Sequence, residues 1–168
     1  SLVTNETQFL YTDAIEFGSM NVQKVELVTL VKDAVFIYPQ QLTNPDGSTV
    51  IETLSFDVDG DGTYDETNIQ GRFLDDNELT FTNEKPYVIY GYAAVDESKT
   101  LTIEAGARVH FHANSGLLVT NNASIHANGT VSLDSELMEN EIIFEGNRLE
   151  PGFAEVPGQW QTIWLFNG

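Results

Sequence analysis

The stretch Leu101-Thr-Ile-Glu-Ala-Gly-Ala-Arg-Val-His-Phe-His112 decides the fold, because Ala123-Ser-Ile-His-Ala-Asn-Gly-Thr-Val-Ser-Leu-Asp134 repeats its pattern. At an offset of 125 − 103 = 22 residues, Ile103 falls on Ile125, Ala105 on Ala127, Ala107 on Gly129, Val109 on Val131 and Phe111 on Leu133. Each pair matches small or apolar residues with the same. Between them stand polar residues such as Glu104, Arg108, His110 and His112. Successive side chains of a strand point to opposite faces, so this alternation predicts half-buried strands with Val109 and Phe111 turned inward. A repeat of this length with Gly and Asn at its corners predicts a parallel β-helix whose equivalent strands stack at about 4.8 Å. Chance similarity between two β-strands is the alternative.

Outward from this stretch, apolar runs rich in Val, Ile, Phe and Tyr alternate with Gly, Asn, Asp and Pro, the pattern of an all-β chain. Strands are predicted near Gln23 to Val31, Ala34 to Tyr38, Val50 to Phe56, Thr67 to Phe73, Val88 to Val95, Thr100 to Ile103, Arg108 to His112, Leu117 to Thr120, Ser124 to Ala127, Ile142 to Glu145 and Thr162 to Phe166. Only Asp134 to Glu141 offers a turn or two of helix. The composition changes near Lys85 and Pro86, where hairpin spacing gives way to the longer repeat. Two regions are therefore expected, a β-sandwich over 1-84 and the start of a parallel β-helix over 85-168.

Seven Lys and Arg against 26 Asp and Glu give a net charge of −19. Such a chain repels phosphate backbones and anionic headgroups, which disfavours nucleic acid and membrane attachment through a basic patch. An apolar share of 41% with 20% charged residues predicts a packed core rather than a disordered acidic tail. With no cysteine, thiolate metal sites, cysteine nucleophiles and disulfides are all excluded.

The segments Pro86-Tyr-Val-Ile-Tyr-Gly-Tyr92, Leu101-Thr-Ile-Glu-Ala-Gly106, His110-Phe-His-Ala-Asn-Ser-Gly-Leu-Leu-Val119, Gly146-Asn-Arg-Leu-Glu-Pro151 and Val156-Pro-Gly-Gln-Trp160 resemble, in order, the opening coils of a right-handed β-helix found in Bacteroidota surface lipoproteins. The resemblance covers about Lys85 to Gly168. It implies an immunoglobulin-like region ahead of the helix, to which Val31-Lys-Asp-Ala-Val-Phe-Ile-Tyr38 is similar. It further implies a lipid anchor at the extracellular face of the outer membrane and more coils than are seen here, so that both ends of a longer protein are expected to lie outside this sequence. The family is known mostly through proteins without an assigned activity, and the resemblance supplies a fold and a compartment rather than a chemistry.

The sharpest local motif is Asp57-Val-Asp-Gly-Asp-Gly-Thr-Tyr-Asp65. Ca²⁺ takes six to eight oxygens, and this spacing offers the carboxylates of Asp57, Asp59, Asp61 and Asp65 with the carbonyl of Thr63, while Gly62 permits a sharp turn. Asn68 stands where an EF-hand has its bidentate Glu, so the loop resembles the hairpin calcium loops of β repeats instead. Two carboxylates about 4 Å apart repel by roughly 4 kcal/mol at an effective dielectric near 20, so a converging loop needs a cation. A splayed, solvated Asp-Gly turn does not, and both readings are open.

His110 and His112, two apart on one strand, share a face with Arg108 and Glu104, and the inward Val109 and Phe111 place that row outward as a solvated face. On the 22-residue repeat, Thr130, Ser132 and Asp134 lie opposite it, which is no zinc shell. Tyr87, Tyr90, Tyr92, Trp160 and Trp164 read as core at a junction and a coil end, or, if exposed, as platforms for sugar rings or a protein partner. Arg148 and Glu150 read as partners fixing a long connection. No nucleophile triad or phosphate-cradling loop is present, and no carboxylate pair has acid–base spacing, so no catalytic residue is assigned.

The expectation is a non-enzymatic cell-surface lipoprotein acting as a scaffold or accessory subunit of a cell-envelope complex. Its partners would be other outer-membrane or surface proteins, and its cofactor a structural Ca²⁺. A carbohydrate-binding surface protein is the alternative, and a β-helix polysaccharide lyase or hydrolase a third reading.

Overall fold

A computed structural model describes residues 10–18, 23–30, 33–149, 152–153 and 156–166. The chain is all-β, and its described residues contain no α-helix, only one turn of 3-10 helix at Asp76–Glu78. Strands β1 (Leu10–Phe17) and β2 (Gln23–Leu30) form an antiparallel hairpin, as do β4 (Gln41–Thr43) and β5 (Thr49–Ile51). A third hairpin joins β6 (Thr53–Phe56) to the first half of β7 (Asp65–Phe73).

The remaining strands stack in parallel into three sheets. Strand β3 (Val35–Ile37) is followed by β9 (Tyr87–Ile89), β12 (Arg108–Phe111) and β15 (Ile143–Gly146) in the first. The second half of β7 is followed by β10 (Tyr92–Val95), β13 (Gly116–Val119) and β16 (Thr162–Leu165) in the second. The third holds β8 (Thr80–Phe81), β11 (Thr100–Ile103) and β14 (Ser124–Ala127). From β9 to β14 the chain visits the three sheets in rotation, then repeats.

Each sheet turns alternate side chains toward one shared core. Ile37, Tyr87, Ile89, Val109 and Phe111 come from the first sheet, Ala93, Val95, Leu117 and Val119 from the second, and Phe81, Leu101 and Ile103 from the third. Burying one such side chain contributes about 1.5–3 kcal/mol, which is why every strand keeps its period-2 alternation in register with the next. Rings stack along the core, with Phe81 on Tyr87 at 4.0 Å and Phe111 on Trp160 at 4.6 Å.

The predicted strand Val88 to Val95 is two strands with a corner at Tyr90-Gly91. Gly91 has φ +67°, and a Cβ there would stand 2.7 Å from the carbonyl oxygen of Gln70, so this corner needs glycine twice over. Val50 to Phe56 likewise splits into β5 and β6, while β1, β4 and β8 were not foreseen. Val31, at the end of the first predicted strand, lies outside the described residues. Asp134 to Glu141 forms no helix; it is a loop of turns.

Strand pairing departs from the 22-residue offset expected between Ile103 and Ile125. Thr100 pairs with Ser124 and Ile103 with Ala127, a spacing of 124 − 100 = 24 residues, not 22. The 22-residue spacing belongs to another pair, because Tyr87 pairs with Val109 (109 − 87 = 22). Beyond β14 the chain leaves the stack, so Val131 is 88% exposed and Leu133 fully so, and neither covers Val109 or Phe111. Strand β12 takes β15 as its neighbour instead, Arg108 against Ile143.

Strands on both sides of residue 85 share these sheets, for β3 pairs with β9, β7 with β10 and β8 with β11. Ile37, Leu74 and Phe81 sit in the same core as Val109 and Leu117. Antiparallel pairing among the described residues is confined to the three hairpins.

Candidate functional site

The Asp57 to Asp65 motif is the turn of the β6–β7 hairpin, closed by Phe56 opposite Asp65. That hairpin bends over the outer face of the second sheet. Leu54 and Phe56 form a small second core there with Tyr92, Ala94 and Leu118, and Phe56 meets the ring of Phe166 edge-on at 4.8 Å. Asp57 is buried, and its carboxylate accepts from the backbone N–H groups of Gly60 (2.7 Å), Asp61 (3.2 Å) and Gly62 (2.9 Å). One carboxylate oxygen each from Asp57, Asp59 and Asp61 lies within 4.8 Å of the others. Asp65 stands apart from that group and accepts from the N–H of Val58 at 3.2 Å. Thr63 donates its N–H (2.8 Å) and hydroxyl (2.5 Å) to Asp61, which holds the Asp61 carboxyl below its ordinary range.

A carboxylate has roughly four lone-pair sites, so three N–H bonds leave Asp57 one for a cation. The donor set fits hard-ion chemistry and supplies part of a six- to eight-oxygen shell.

The predicted solvent-facing row on β12 is covered instead. His110 is only 1% exposed and Arg108 is also buried. Arg108 donates to the carbonyls of Glu141 (2.7 Å), Gly106 (3.0 Å) and Met138, so it closes the loop between β14 and β15 onto β12. Neighbouring His110 in the sheet are Val88 and Glu145, not Thr130, Ser132 or Asp134. Its Nδ1 lies 3.3 Å from the Glu145 carboxylate. An ion pair would raise the histidine; burial, reinforced by the Arg108 charge, outweighs it and lowers His110 to about 4. Burial also raises the Glu145 carboxyl and lowers the Arg108 guanidinium. At neutral pH His110 is therefore uncharged, and the cluster acts as packing for the loop. His126 and Glu104 are exposed on the third sheet's side of the molecule.

Sequence reasoning missed a groove at the corner between the first and second sheets. It has a volume of about 800 Å³, within the ~300–1,000 Å³ range of small-molecule sites. Tyr92 forms its floor, and Tyr38, Tyr90 and Trp164 stand around it. Tyr90 leans on His112 with ring centres 4.7 Å apart, and Asn147 Nδ2 lies 3.2 Å from His112 Nδ1. Tyr92 fits there because Gly71 and Gly116 flank it in the same row of the sheet. The overhanging half of β7 contributes Asn68 and Gln70, and the corners before β13 and β16 contribute Asn114 and Gln161. Among the described residues no Asp, Glu, Lys or Arg lines the groove.

The aromatic residues thus divide. Tyr87 and Trp160 pack with the core as expected, whereas Trp164 is 44% and Tyr38 59% exposed. Arg148 stacks over the ring of Phe153 at 3.8 Å; Glu150, its expected partner, lies outside the described residues. Comparisons with protein-family models, with curated proteins and with solved structures give no match to this chain.

Proposed function

We propose that this chain is a non-enzymatic cell-surface protein, held at the outer membrane by a lipid anchor, whose parallel strands are coils of a right-handed β-helix. In this reading it serves as a scaffold or accessory subunit of a cell-envelope complex. One observation carries it: the β1–β2 hairpin exposes Ile15 directly opposite Val25, with Phe17 two residues along on the same face. A two-stranded hairpin in water is marginally stable, and an exposed apolar face of this kind marks a protein contact. The stacked sheets supply a rigid body from which the hairpin can meet a partner.

Cross-linking in native envelopes followed by co-purification tests the reading. A stable partner, recovered less well after Phe17→Asp with Val25→Asp, is the expected result. Recovery as a monomer with no partner overturns it.

The same proposal assigns the Asp57, Asp59 and Asp61 carboxylates, with the carbonyl of Thr63 and with Asp65, to a structural Ca²⁺. Support comes from the convergence of the first three within 4.8 Å. The ion would fix the hairpin turn rather than do chemistry.

A further inference from the structure

We infer that the groove between Tyr38, Tyr92 and Trp164 is a binding site for a neutral oligosaccharide. The inference stands independently of the scaffold reading, since it uses a different face and a different test.

Three features of the groove select the ligand class. First, large aromatic faces are left exposed at Tyr38 and Trp164, although rings of this size are normally buried. A flat aromatic face is matched by the apolar C–H face of a sugar ring. Second, the side-chain amides of Asn68, Gln70, Asn114 and Gln161 surround these rings, and none makes a hydrogen bond to another described residue. Each amide offers an acceptor and two donors, which suits hydroxyl groups that both donate and accept. Third, no Asp, Glu, Lys or Arg among the described residues lines the groove, and His112 is its one titratable residue besides tyrosine there, although the whole chain carries −19. A cationic ligand would find no counter-charge there, and an anionic one would meet the field of the surrounding acids without a Lys or Arg to offset it. An apolar peptide would leave the ring of amides unsatisfied. What remains is an uncharged ligand rich in hydroxyls, with one apolar face.

The architecture also fits a preformed site. Tyr92 is buried and held between Gly71 and Gly116, Tyr90 rests on His112, and Trp164 rests on Phe166 at 4.8 Å. These three rings lose little side-chain freedom when a ligand arrives, which favours affinity.

The chain's two tryptophans separate the readout, because Trp160 is stacked on Phe111 while Trp164 faces the groove. Linear gluco-, xylo- and mannohexasaccharides, with polygalacturonate as a charged control, are titrated by calorimetry while tryptophan emission is followed. At least one neutral hexasaccharide should bind and alter the emission. Trp164→Ala and Tyr38→Ala should each weaken it by about tenfold, the equivalent of about 1.4 kcal/mol, and Gln70→Ala by severalfold. Glu104→Gln, outside the groove, should leave it unchanged. Tyr38 is exposed, so its variant keeps the test valid even if Trp164→Ala fails to fold. Absence of binding to every neutral sugar, equal or tighter binding of polygalacturonate, or binding that survives both aromatic substitutions would overturn the inference.

Discussion

The side-chain amide of Asn121 donates a 2.7 Å hydrogen bond to the backbone carbonyl of Asp57, 64 residues earlier in the chain. Through it the corner after β13 holds the start of the acidic loop. Asn121 is itself buried, so removing the donor leaves a buried carbonyl unpaired. Asn121→Ala should cost ~1–3 kcal/mol. For a chain of this size that lowers the melting temperature by several degrees, at ~2–4 °C per kcal/mol. Thermal unfolding followed by circular dichroism reads the effect directly, and an unchanged midpoint would show that the loop is held by other contacts.

Calcium has a separate signature. An ion that binds only the folded state raises stability by mass action, about 2.7 kcal/mol at a hundredfold excess over Kd. The melting temperature should therefore rise with CaCl₂ and fall with chelator, and Asp59→Ala with Asp61→Ala should abolish the difference. No calcium-dependent shift, or one that survives both substitutions, removes the metal from the account.

His110 sets a pH dependence. Burial lowers it to about 4 in the folded chain, against an ordinary value of 6.5 that unfolding restores. Between these values the unfolded state binds more protons, so this contribution is fully present above about pH 6.5 and is lost as pH falls toward about 4. The difference amounts to ~3 kcal/mol at ~1.4 kcal/mol per pKa unit. Glu145, raised by burial, acts in the opposite sense and offsets part of the loss as its carboxyl takes up a proton. Urea midpoints measured across this range should fall on acidification, and His110→Gln should flatten the slope. An equal slope in the variant would assign the acid lability to other groups.

Glycine at 116 is a packing requirement. A Cβ there would run into the carbonyl oxygen of Thr162 and crowd the ring of Tyr92. Gly116→Ala should cost ~3 kcal/mol, at the upper end for overpacking, and should loosen β16 from β13. Gly152, with open space around it, is the control, and Gly152→Ala should be neutral. Amide hydrogen exchange in β16 distinguishes the two, and protection unchanged in Gly116→Ala would contradict this close approach.

Much of the fold was legible because strand alternation is a local signal. Val109 and Phe111 point inward as their spacing requires, and the strands from Thr100 to Ala127 lie close to where their apolar runs fall. The partner of each strand was not legible. Parallel pairing depends on loop lengths between strands, and the loops after β14 break the period that Val131 and Leu133 continue in the sequence. For the same reason His110 and Arg108 read as solvated: Glu145 and the carbonyls that cover them come from a later turn of the chain. The acidic loop was visible because Asp57, Asp59, Asp61 and Asp65 fall within nine consecutive residues. The groove was not, since Tyr38 and Trp164 are 164 − 38 = 126 residues apart and meet only through the stacking of sheets. Its one sequence trace was the excess of Tyr and Trp around 87–92 and 160–164.

One stacked body takes strands from both sides of residue 85 and builds the groove from both. Thermal unfolding of a fragment spanning 85–168, compared with the whole chain by circular dichroism, tests this most directly. The fragment lacks Ile37, Leu74 and Phe81 from the core and leaves β9, β10 and β11 as open edges. It should show no cooperative melting transition. A fragment that melts cooperatively at the temperature of the whole chain would contradict the shared core and return the protein to two independent domains.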